Sequence, residues 1–221
     1  MKKKPEDILD HIADNLEFFV QLGADFVIAP PPEPRGRAEI SLEKKIRTCT
    51  KCRLSETRTH AVPGEGDWNA DLMFVGEGPG RDEDRLGRPF VGRAGQLLTK
   101  IIKAMAFERS QVYITNIVKC RPPQNRNPLD DEVELCQDYL FEQIRLISPR
   151  VIVTLGKVAA DFFIPGSPTM GSVRGRFHVY EDIPVMPTYH PAYLIRNERN
   201  RELKRKVWED MKQVMALLGK K

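Results

Sequence analysis

The stretch DLMFVGEGPGRDEDRLGRPFVGRAGQLLTKIIKAM, at positions 71–105, decides the fold of this chain. Its apolar run at 72–75 leads into a loop from Gly76 to Gly95 with six glycines, and a helical pattern follows at 96–105. A strand, a glycine-rich loop and a helix in this order mark the place where open α/β sheets bind ligands. The loop also carries four arginines and three consecutive acids at 82–84, which favours an anionic partner and carboxylate chemistry.

This loop departs from both common nucleotide-binding motifs. In the G-x-G-x-x-G fingerprint the third glycine opens the helix, whereas here Gly80 comes one residue early and Pro79 precedes it. The segment 87–94 has the spacing of a G-x-x-x-x-G-K-S/T phosphate loop but lacks its lysine and its hydroxyl. A surface loop without function is the other alternative, which the length of the segment disfavours.

Four apolar runs of strand length, separated by helical patterns, indicate a parallel sheet that is covered on both faces. The runs lie at 72–75, 112–118, 151–155 and 183–186, and the helical patterns lie at 96–106, 130–147, 157–163 and 201–218. A small antiparallel excursion is predicted at 171–180. The sequence therefore predicts an α/β fold.

The first forty residues differ in pattern from the rest of the chain. Apolar residues recur at helical spacing over 5–22, which predicts an amphipathic helix for docking or oligomer contact. Four prolines within 29–38 predict a stiff, extended linker. We therefore predict an N-terminal segment at 1–40 and a domain at 41–221, whose first short helix is capped by Ser41.

The composition bounds the class of protein. Its 221 residues are 41% hydrophobic and 30% charged, which is enough for one core of ordinary size. A net charge of +4 is compatible with nucleic acid but is not diagnostic. No run approaches the roughly 20 apolar residues of a membrane span. Because Pro5-Glu6-Asp7 follows the basic start, where a signal peptide needs apolar residues, we expect a cytoplasmic protein. We also expect a monomer.

Polar residues follow the predicted strands at the points where these strands end. Glu77 follows the first strand, Asn116 lies at the end of the second, and His190 follows the fourth. Because the carboxyl ends of parallel strands meet at one edge of a sheet, these residues and the acids at 82–84 are expected to line one crevice.

The four cysteines form one close pair, Cys49 and Cys52, and two dispersed residues, Cys120 and Cys136. Reduced thiols in the cytoplasm are metal ligands or core residues rather than disulfides. Zinc sites usually have two short knuckles, and this chain has one. A thioredoxin-type pair would lie at the start of a helix in the core domain, whereas Cys49 and Cys52 precede the predicted sheet. One pair plus two dispersed cysteines suits a cubane cluster, and buried thiols remain the other alternative.

Several motifs together resemble the family 4 uracil-DNA glycosylases, the iron–sulfur branch of that superfamily. The motifs are Gly76-Glu77-Gly78-Pro79-Gly80, Gly87-Arg88-Pro89-Phe90-Val91-Gly92, Thr115-Asn116, Lys119-Cys120-Arg121-Pro122-Pro123 and His190-Pro191-Ala192-Tyr193-Leu194. The cysteine spacing agrees as well. The resemblance covers about 42–218 and leaves the N-terminal forty residues without an implied function.

This resemblance implies a fold, a cofactor and an activity. It implies a three-layer α/β/α sandwich around a four-stranded parallel sheet. It implies a [4Fe-4S] cluster held by Cys49, Cys52, Cys120 and Cys136. It also implies that the protein binds uracil-containing DNA, flips the base out of the stack and hydrolyses its N-glycosidic bond, which leaves an abasic site.

Three residues of the matching motifs have chemistry suited to a flipped uracil. Phe90 can stack on the face of the base, with core packing as its alternative. The amide of Asn116 can pair with uracil N3–H and O4 and mismatches cytosine. His190 can donate a hydrogen bond to uracil O2 as negative charge develops on the leaving base.

The water-activating group and the DNA contacts are less well defined by the motifs. Related families have an aspartate at the position of Gly78, so Glu77 and Glu83 are both candidates to polarise water. Glu83 could instead exclude the thymine methyl group, and Asp82 and Asp84 are expected on a solvated loop face. The segment 191–196 is the expected DNA-facing loop, with Leu194 as a wedge in the stack. Arg196 and Lys157 are the expected phosphate contacts.

Two alternative functions follow from the same residues. One is a relative that becomes covalently trapped on uracil-DNA through a histidine in an inserted basic loop, but the segment 121–135 has neither insert nor histidine. The other is a non-catalytic iron–sulfur protein that binds nucleic acid or transfers electrons.

Overall fold

The structure is a computed structural model that describes residues 35–166 and 169–220. The residues from Arg35 onward form a compact unit. The amphipathic helix predicted at 5–22 and most of the proline-rich linker lie outside the described residues.

Nine helices and six strands make up the described residues. The helices are α1 (Arg35–Arg47), α2 (Leu54–Thr57), α3 (Arg81–Leu86), α4 (Arg93–Ala104), α5 (Asp130–Ile147), α6 (Lys157–Phe163), α7 (Met170–Val173), α8 (Pro191–Arg196) and α9 (Arg201–Leu217). The strands are β1 (Glu65–Gly66), β2 (Leu72–Gly76), β3 (Tyr113–Asn116), β4 (Val151–Leu155), β5 (His178–Tyr180) and β6 (Ile183–Thr188). Two short 3-10 turns lie at Arg109–Gln111 and Pro123–Asn125.

The strands form one sheet in the order β1-β3-β2-β4-β6-β5. The four central strands are parallel, as the sequence predicts, whereas β1 and β5 pair antiparallel with β3 and β6 at the two edges. The α/β sandwich is therefore confirmed, and the predicted count of four strands is corrected to six. Strand β1 has two residues, too few to show an alternating pattern, and β5 is the antiparallel excursion predicted at 171–180.

Two apolar clusters cover the two faces of the sheet, because successive side chains of a strand point to opposite faces. Met73 and Val75 of β2 pack with α1, α5 and α6, whereas Leu72 and Phe74 pack with α4 and α9. Every residue of β2 and β4 is buried. This burial on both faces explains why these strands are continuous apolar runs.

Helix α1 begins at Arg35, six residues before the predicted cap Ser41. The proline-free segment after Pro34 can continue as a helix, and Leu42 and Ile46, one turn apart, are both fully buried in the core cluster. The expected extended conformation up to residue 38 is therefore wrong from Arg35 onward, and the predicted domain boundary near residue 40 falls inside this helix.

A buried carboxylate connects helix α9 to the end of strand β6 and to Arg174, which follows α7. The Asp210 carboxylate is fully buried, accepts a hydrogen bond of 2.6 Å from Thr188 Oγ1, and pairs with the Arg174 guanidinium. Burial raises the pKa of Asp210, and the hydrogen bonds from Thr188 and Arg174 act in the opposite direction. This contact fixes the strand end from which the polypeptide continues to His190.

We expect Arg174→Met to lower the free energy of unfolding by about 3–5 kcal/mol, because it leaves the Asp210 carboxylate buried without its cation. Urea unfolding at neutral pH measures the change. Arg205→Ala is the matched control, since Arg205 pairs with Glu202 on the exposed face of α9 and its loss should leave the unfolding midpoint unchanged. Equal midpoints for the two variants would show that the buried pair does not stabilise the fold.

Candidate active site

A cavity of about 780 Å³ lies at the carboxyl ends of the parallel strands. Glu77 after β2, Asn116 at the end of β3, Gly156 after β4 and His190 after β6 all line it. Gly78, Glu83, Phe90 and Arg196 line it as well. The structure thus brings together the strand-end residues that the sequence predicts for one crevice.

Asn116 presents a buried hydrogen-bond acceptor to this cavity. Its side chain is 1% exposed, and its Oδ1 has no hydrogen-bond partner among the described residues. In the described part of the chain, one other buried side-chain oxygen or nitrogen lacks a hydrogen-bond partner, and it is Thr154 Oγ1 within strand β4. An unpaired buried acceptor is unfavourable, so Asn116 Oδ1 suits a ligand that brings an N–H or O–H donor.

The Phe90 ring lies beside Asn116 and His190. A Cβ atom on Gly76 would lie 2.4 Å from Asn116 Oδ1 and 2.6 Å from Phe90 Cζ, so only glycine lets the ring and the amide approach each other here. The Phe90 and His190 ring centroids are 5.7 Å apart. Phe90 has a φ of 50°, a strained value for a residue with a side chain, and it packs directly on Gly95.

His190 is held as a neutral hydrogen-bond donor. It caps the N-terminus of α8, and its Nδ1 accepts a hydrogen bond of 3.0 Å from the Ala192 backbone N–H. Burial, with a smaller effect of Arg196, lowers the pKa of His190 to about 4, and Glu83 acts in the opposite direction. Since Nδ1 accepts, the proton of the neutral ring is on Nε2.

The two candidate carboxylates have different surroundings. Glu83 Oε1 accepts hydrogen bonds of 2.9 Å from the backbone N–H groups of both Val91 and Gly92. Glu83 therefore holds the loop that carries Phe90. Burial raises the pKa of Glu77, and its carboxylate makes no hydrogen bond or ion pair with any residue that the structure describes. Glu77 is the carboxylate that is free to meet a water or a ligand.

The acids at 82–84 lie on helix α3, inside what the sequence suggests is a continuous loop. Asp84 is 4% exposed and accepts hydrogen bonds from Thr59 N at 2.8 Å and Thr59 Oγ1 at 2.9 Å. The expectation that Asp84 lies on a solvated face is therefore wrong. Its partner is twenty-five residues earlier in the chain, a separation that no local pattern reveals.

The four cysteines are free thiols. Cys120 and Cys136 are buried, and Cys49 and Cys52 pack against the same apolar cluster. The described residues contain no group of three or more metal-binding side chains that could hold a single metal ion.

Hydrogen-bond donors surround the cysteine sulfurs. Arg58 Nη1 donates to Cys120 Sγ at 2.9 Å, and its Nη2 donates to the Cys49 carbonyl oxygen at 2.7 Å. The Lys119 backbone N–H donates to Cys136 Sγ at 3.3 Å. Burial raises the pKa of Cys136 to about 11, and the nearby Lys119 charge opposes this. Donors and cations of this kind lower the pKa of a thiol, but burial has the larger effect on Cys120 and Cys136 and raises the pKa of both.

Comparison with known proteins identifies the family. A family model described as the uracil DNA glycosylase superfamily matches residues 63–212. This chain belongs to the uracil DNA glycosylase superfamily. A type-4 uracil-DNA glycosylase of Thermotoga maritima is 45% identical over 181 residues, which covers 81% of this chain and 94% of that protein. Type-4 enzymes of Sulfurisphaera tokodaii and Archaeoglobus fulgidus are 46% and 44% identical, over 80% of this chain and 84% and 92% of theirs. The resemblance to family 4 is confirmed.

The segment at 191–196, expected as a DNA-facing loop of this glycosylase-superfamily chain, is the short helix α8. Leu194 is 3% exposed and packs in the core with α4 and α9, so in this structure it cannot enter a DNA stack. The placement of Leu194 corrects the predicted wedge. Arg196 is exposed at the cavity rim. The Lys157 ammonium pairs with the Asp161 carboxylate one turn later on α6.

Sequence reasoning assigned no role to Tyr193, which is 39% exposed and lines the cavity. Its ring centroid lies 5.4 Å from that of Tyr189. Helical spacing could have revealed this placement, because Pro191 and Leu194, three residues apart, share the buried face of α8 and leave Tyr193 outside.

None of the helices in the described ranges is both long and apolar enough to cross a membrane.

We expect Leu194→Ala to destabilise the fold by about 2–5 kcal/mol, because it removes a fully packed core side chain. Chemical unfolding measures the change. Tyr193→Ala, its exposed neighbour on α8, is the control and should leave the unfolding midpoint close to the wild-type value. A Leu194→Ala protein with wild-type stability and weakened DNA binding would restore the wedge role to Leu194.

Proposed function

We propose that this chain is a DNA repair enzyme, a uracil-DNA glycosylase that hydrolyses the N-glycosidic bond of deoxyuridine in DNA. It releases uracil and leaves an abasic site. The observation that carries the proposal is the buried Oδ1 of Asn116, which has no hydrogen-bond partner among the described residues, in a cavity that also contains the Phe90 ring and the neutral His190 donor. Membership of the superfamily and the names of the relatives support the same activity.

Recognition depends on the edge of the base. Uracil N3–H donates to Asn116 Oδ1, and the Asn116 amide N–H donates to uracil O4. Cytosine lacks the N3 proton and carries an amino group at C4, so it would leave Oδ1 unpaired and bring two donors together. A buried site of this kind rejects the wrong edge strongly. The Phe90 ring stacks on the flipped base, which must leave the duplex to reach the cavity.

Catalysis depends on charge that develops when the bond between C1′ and uracil N1 breaks. The electron pair of this bond goes to uracil, and His190 Nε2–H donates to O2, where negative charge accumulates. A neutral imidazole stabilises this charge through a hydrogen bond without transferring its proton. The uracil anion then takes a proton from solvent.

Water attacks C1′ on the face opposite the leaving base, and Glu77 positions it. The Glu77 carboxylate follows β2 at the cavity wall and has no partner among the described residues, so it can accept the water proton. Glu83 is occupied by the backbone of Val91 and Gly92 and positions Phe90 instead. Related families have an aspartate at the position of Gly78. Here a Cβ atom on Gly78 would lie 2.8 Å from Val118 Cγ2, so the absence of a side chain lets the loop after β2 approach Val118 closely.

A [4Fe-4S] cluster would be held by Cys49, Cys52, Cys120 and Cys136. The donor set fits this cofactor, because four thiols gather beside N–H donors and because a cubane binds each thiolate through a different iron. When bound, the cluster supplies four iron–thiolate bonds. These bonds would cross-link the segment after α1, the segment after β3 and helix α5.

The partner is uracil-containing DNA, with Arg196 as a phosphate contact at the cavity rim. We expect the protein to act as a monomer in the cytoplasm. Size-exclusion chromatography with light scattering tests the monomer, and a stable dimer at micromolar concentration would contradict it.

Incubation of the pure protein with a uracil-containing oligonucleotide, followed by alkali, tests the proposed function. Strand cleavage at the uracil supports the hydrolase. A denaturant-resistant protein–DNA adduct would instead support the trapping relative, and an intact, unmodified strand would support a non-catalytic binding protein. A thymine-containing oligonucleotide of the same sequence is the control.

We expect Asn116→Asp to lower uracil excision by about a hundredfold or more and to gain some cytosine excision, because the carboxyl group no longer matches the uracil edge. Single-turnover assays on matched uracil and cytosine oligonucleotides measure both. Asn127→Asp places the same charge elsewhere on the cavity wall and is the control. Unchanged uracil excision by Asn116→Asp would remove this residue from recognition.

We expect Glu77→Gln to lower the single-turnover rate of uracil excision by about a hundredfold, because the amide cannot accept the water proton. Glu83→Gln keeps an oxygen acceptor for Val91 N–H and Gly92 N–H, so its rate should stay within about tenfold of the wild type. The opposite order of the two rates would transfer the water-activating role to Glu83.

Anaerobically purified protein is expected to contain four irons and four sulfides per chain, because a cubane has this composition. Iron and sulfide assays on Cys136→Ser, beside the wild type, measure the dependence on the predicted ligand. Stoichiometric zinc without iron in the wild type would contradict the cluster.

A further inference from the structure

Lys119 is a buried lysine between the cysteines and the cavity. Its side chain is 1% exposed, and its Nζ donates three hydrogen bonds. The acceptors are Thr115 Oγ1 at 2.8 Å, the Asn116 carbonyl oxygen at 2.6 Å and Gln143 Oε1 at 2.7 Å. Three acceptors match the three N–H bonds of an ammonium group.

The acceptors of Lys119 are themselves held by hydrogen bonds. Thr115 Oγ1 donates to the Pro63 carbonyl oxygen at 2.8 Å. Gln143 Nε2 donates to the same carbonyl oxygen at 2.8 Å and to the Tyr113 hydroxyl at 3.1 Å. Thr115, Gln143 and Tyr113 are each at most 1% exposed. The network therefore leaves the Lys119 side chain a single position.

The backbone around Lys119 connects the cysteines to the cavity wall. The Lys119 N–H donates to Cys136 Sγ at 3.3 Å, and Cys120 is the next residue. In the other direction, Val118 N–H donates to the Glu77 carbonyl oxygen at 3.1 Å. Ile117 N–H donates to the Gly76 carbonyl oxygen at 2.9 Å. The segment 117–119 thus joins Asn116 to Cys120 in sequence, and its backbone bonds to Cys136 and to the backbone of Glu77.

We propose that Lys119 is a positioning residue that couples the four-cysteine site to base recognition, by holding the peptide group of Asn116 while its own backbone holds Cys136. The inference rests on the proposed function. In this proposal the Lys119 side chain touches neither substrate nor cofactor. It acts by keeping the Asn116 amide at the position where Oδ1 meets uracil N3–H.

A purely space-filling role for Lys119 is less consistent with its surroundings. A methionine would fill much the same volume without the cost of burying a charge. The ammonium group contributes what methionine cannot, which is a direct bond to the Asn116 carbonyl oxygen. A recognition group must be held to within a fraction of an ångström for its hydrogen bonds to discriminate, so loss of this bond should weaken discrimination between bases.

Lys119→Met in the cluster-loaded protein tests the proposal, together with the pair Thr115→Val and Thr115→Ser. Thr115→Val removes an acceptor of Lys119 and Thr115→Ser retains it. Leu140→Ala, in the core on the same helix as Gln143, is the control for loss of stability alone. The measurements are iron per chain, excision rate, and affinity for duplexes that contain cytosine or a hydrolysis-resistant 2′-fluorinated deoxyuridine.

We expect Lys119→Met to retain its iron and to bind the cytosine duplex within about twofold of the wild type, since phosphate contacts do not change. Its preference for the uracil analogue over cytosine and its excision rate should each fall by about tenfold or more. Thr115→Val should show a smaller loss of both, which Thr115→Ser reverses. Leu140→Ala should keep the uracil preference.

Unchanged uracil preference in Lys119→Met, or an equal loss of uracil preference in Leu140→Ala, would overturn this proposal. Uracil excision by the wild-type protein would leave the proposed function intact in either case. If Lys119→Met does not fold, equal uracil preference in Thr115→Val and Thr115→Ser would overturn it. A wild-type protein that excises no uracil would overturn the proposed function and this inference together.

Discussion

The parallel pairing of β2 with β3, which places Gly76 opposite Asn116, is the constraint on which the rest of the site depends. Because Gly76 has no side chain, the Asn116 amide and the Phe90 ring can both pack against this strand end. A Cβ atom on Gly76 would lie 2.4 Å from Asn116 Oδ1 and 2.6 Å from Phe90 Cζ. The contacts that pair β2 with β3 therefore also form the cavity wall. A change that shifts this register displaces the amide as well as the strand.

Asn116 shows how a buried polar residue can be both fixed and available. Its carbonyl oxygen accepts from Lys119 Nζ, whereas its side-chain Oδ1 accepts from nothing in the described part of the chain. Buried polar groups are normally paired, so the hydrogen bonds that hold the backbone offset the cost of leaving one acceptor open for a ligand. In the proposed glycosylase the stability of the core contributes to base recognition through this residue.

The sequence predicts the parts of the structure that depend on local periodicity. Strand β4 and helices α5 and α6 have the bounds that their patterns predict, because long apolar runs and helical spacing carry enough signal. It does not predict β1, which has two residues, or which of Glu77 and Glu83 has its carboxylate held by hydrogen bonds. That difference depends on hydrogen bonds from Val91 and Gly92, eight and nine residues after Glu83, which no local pattern reveals.

The direction of the side chains on helix α8, beside the cavity, depends on a backbone contact that the motif does not show. His190 accepts from Ala192 N–H, and this cap begins a helix at Pro191. Once the segment is helical, its three-residue spacing turns Leu194 into the core and Tyr193 outward. The same hydrogen bond sets the His190 tautomer. One cap therefore determines both which nitrogen donates into the cavity and which side chain is presented at its mouth.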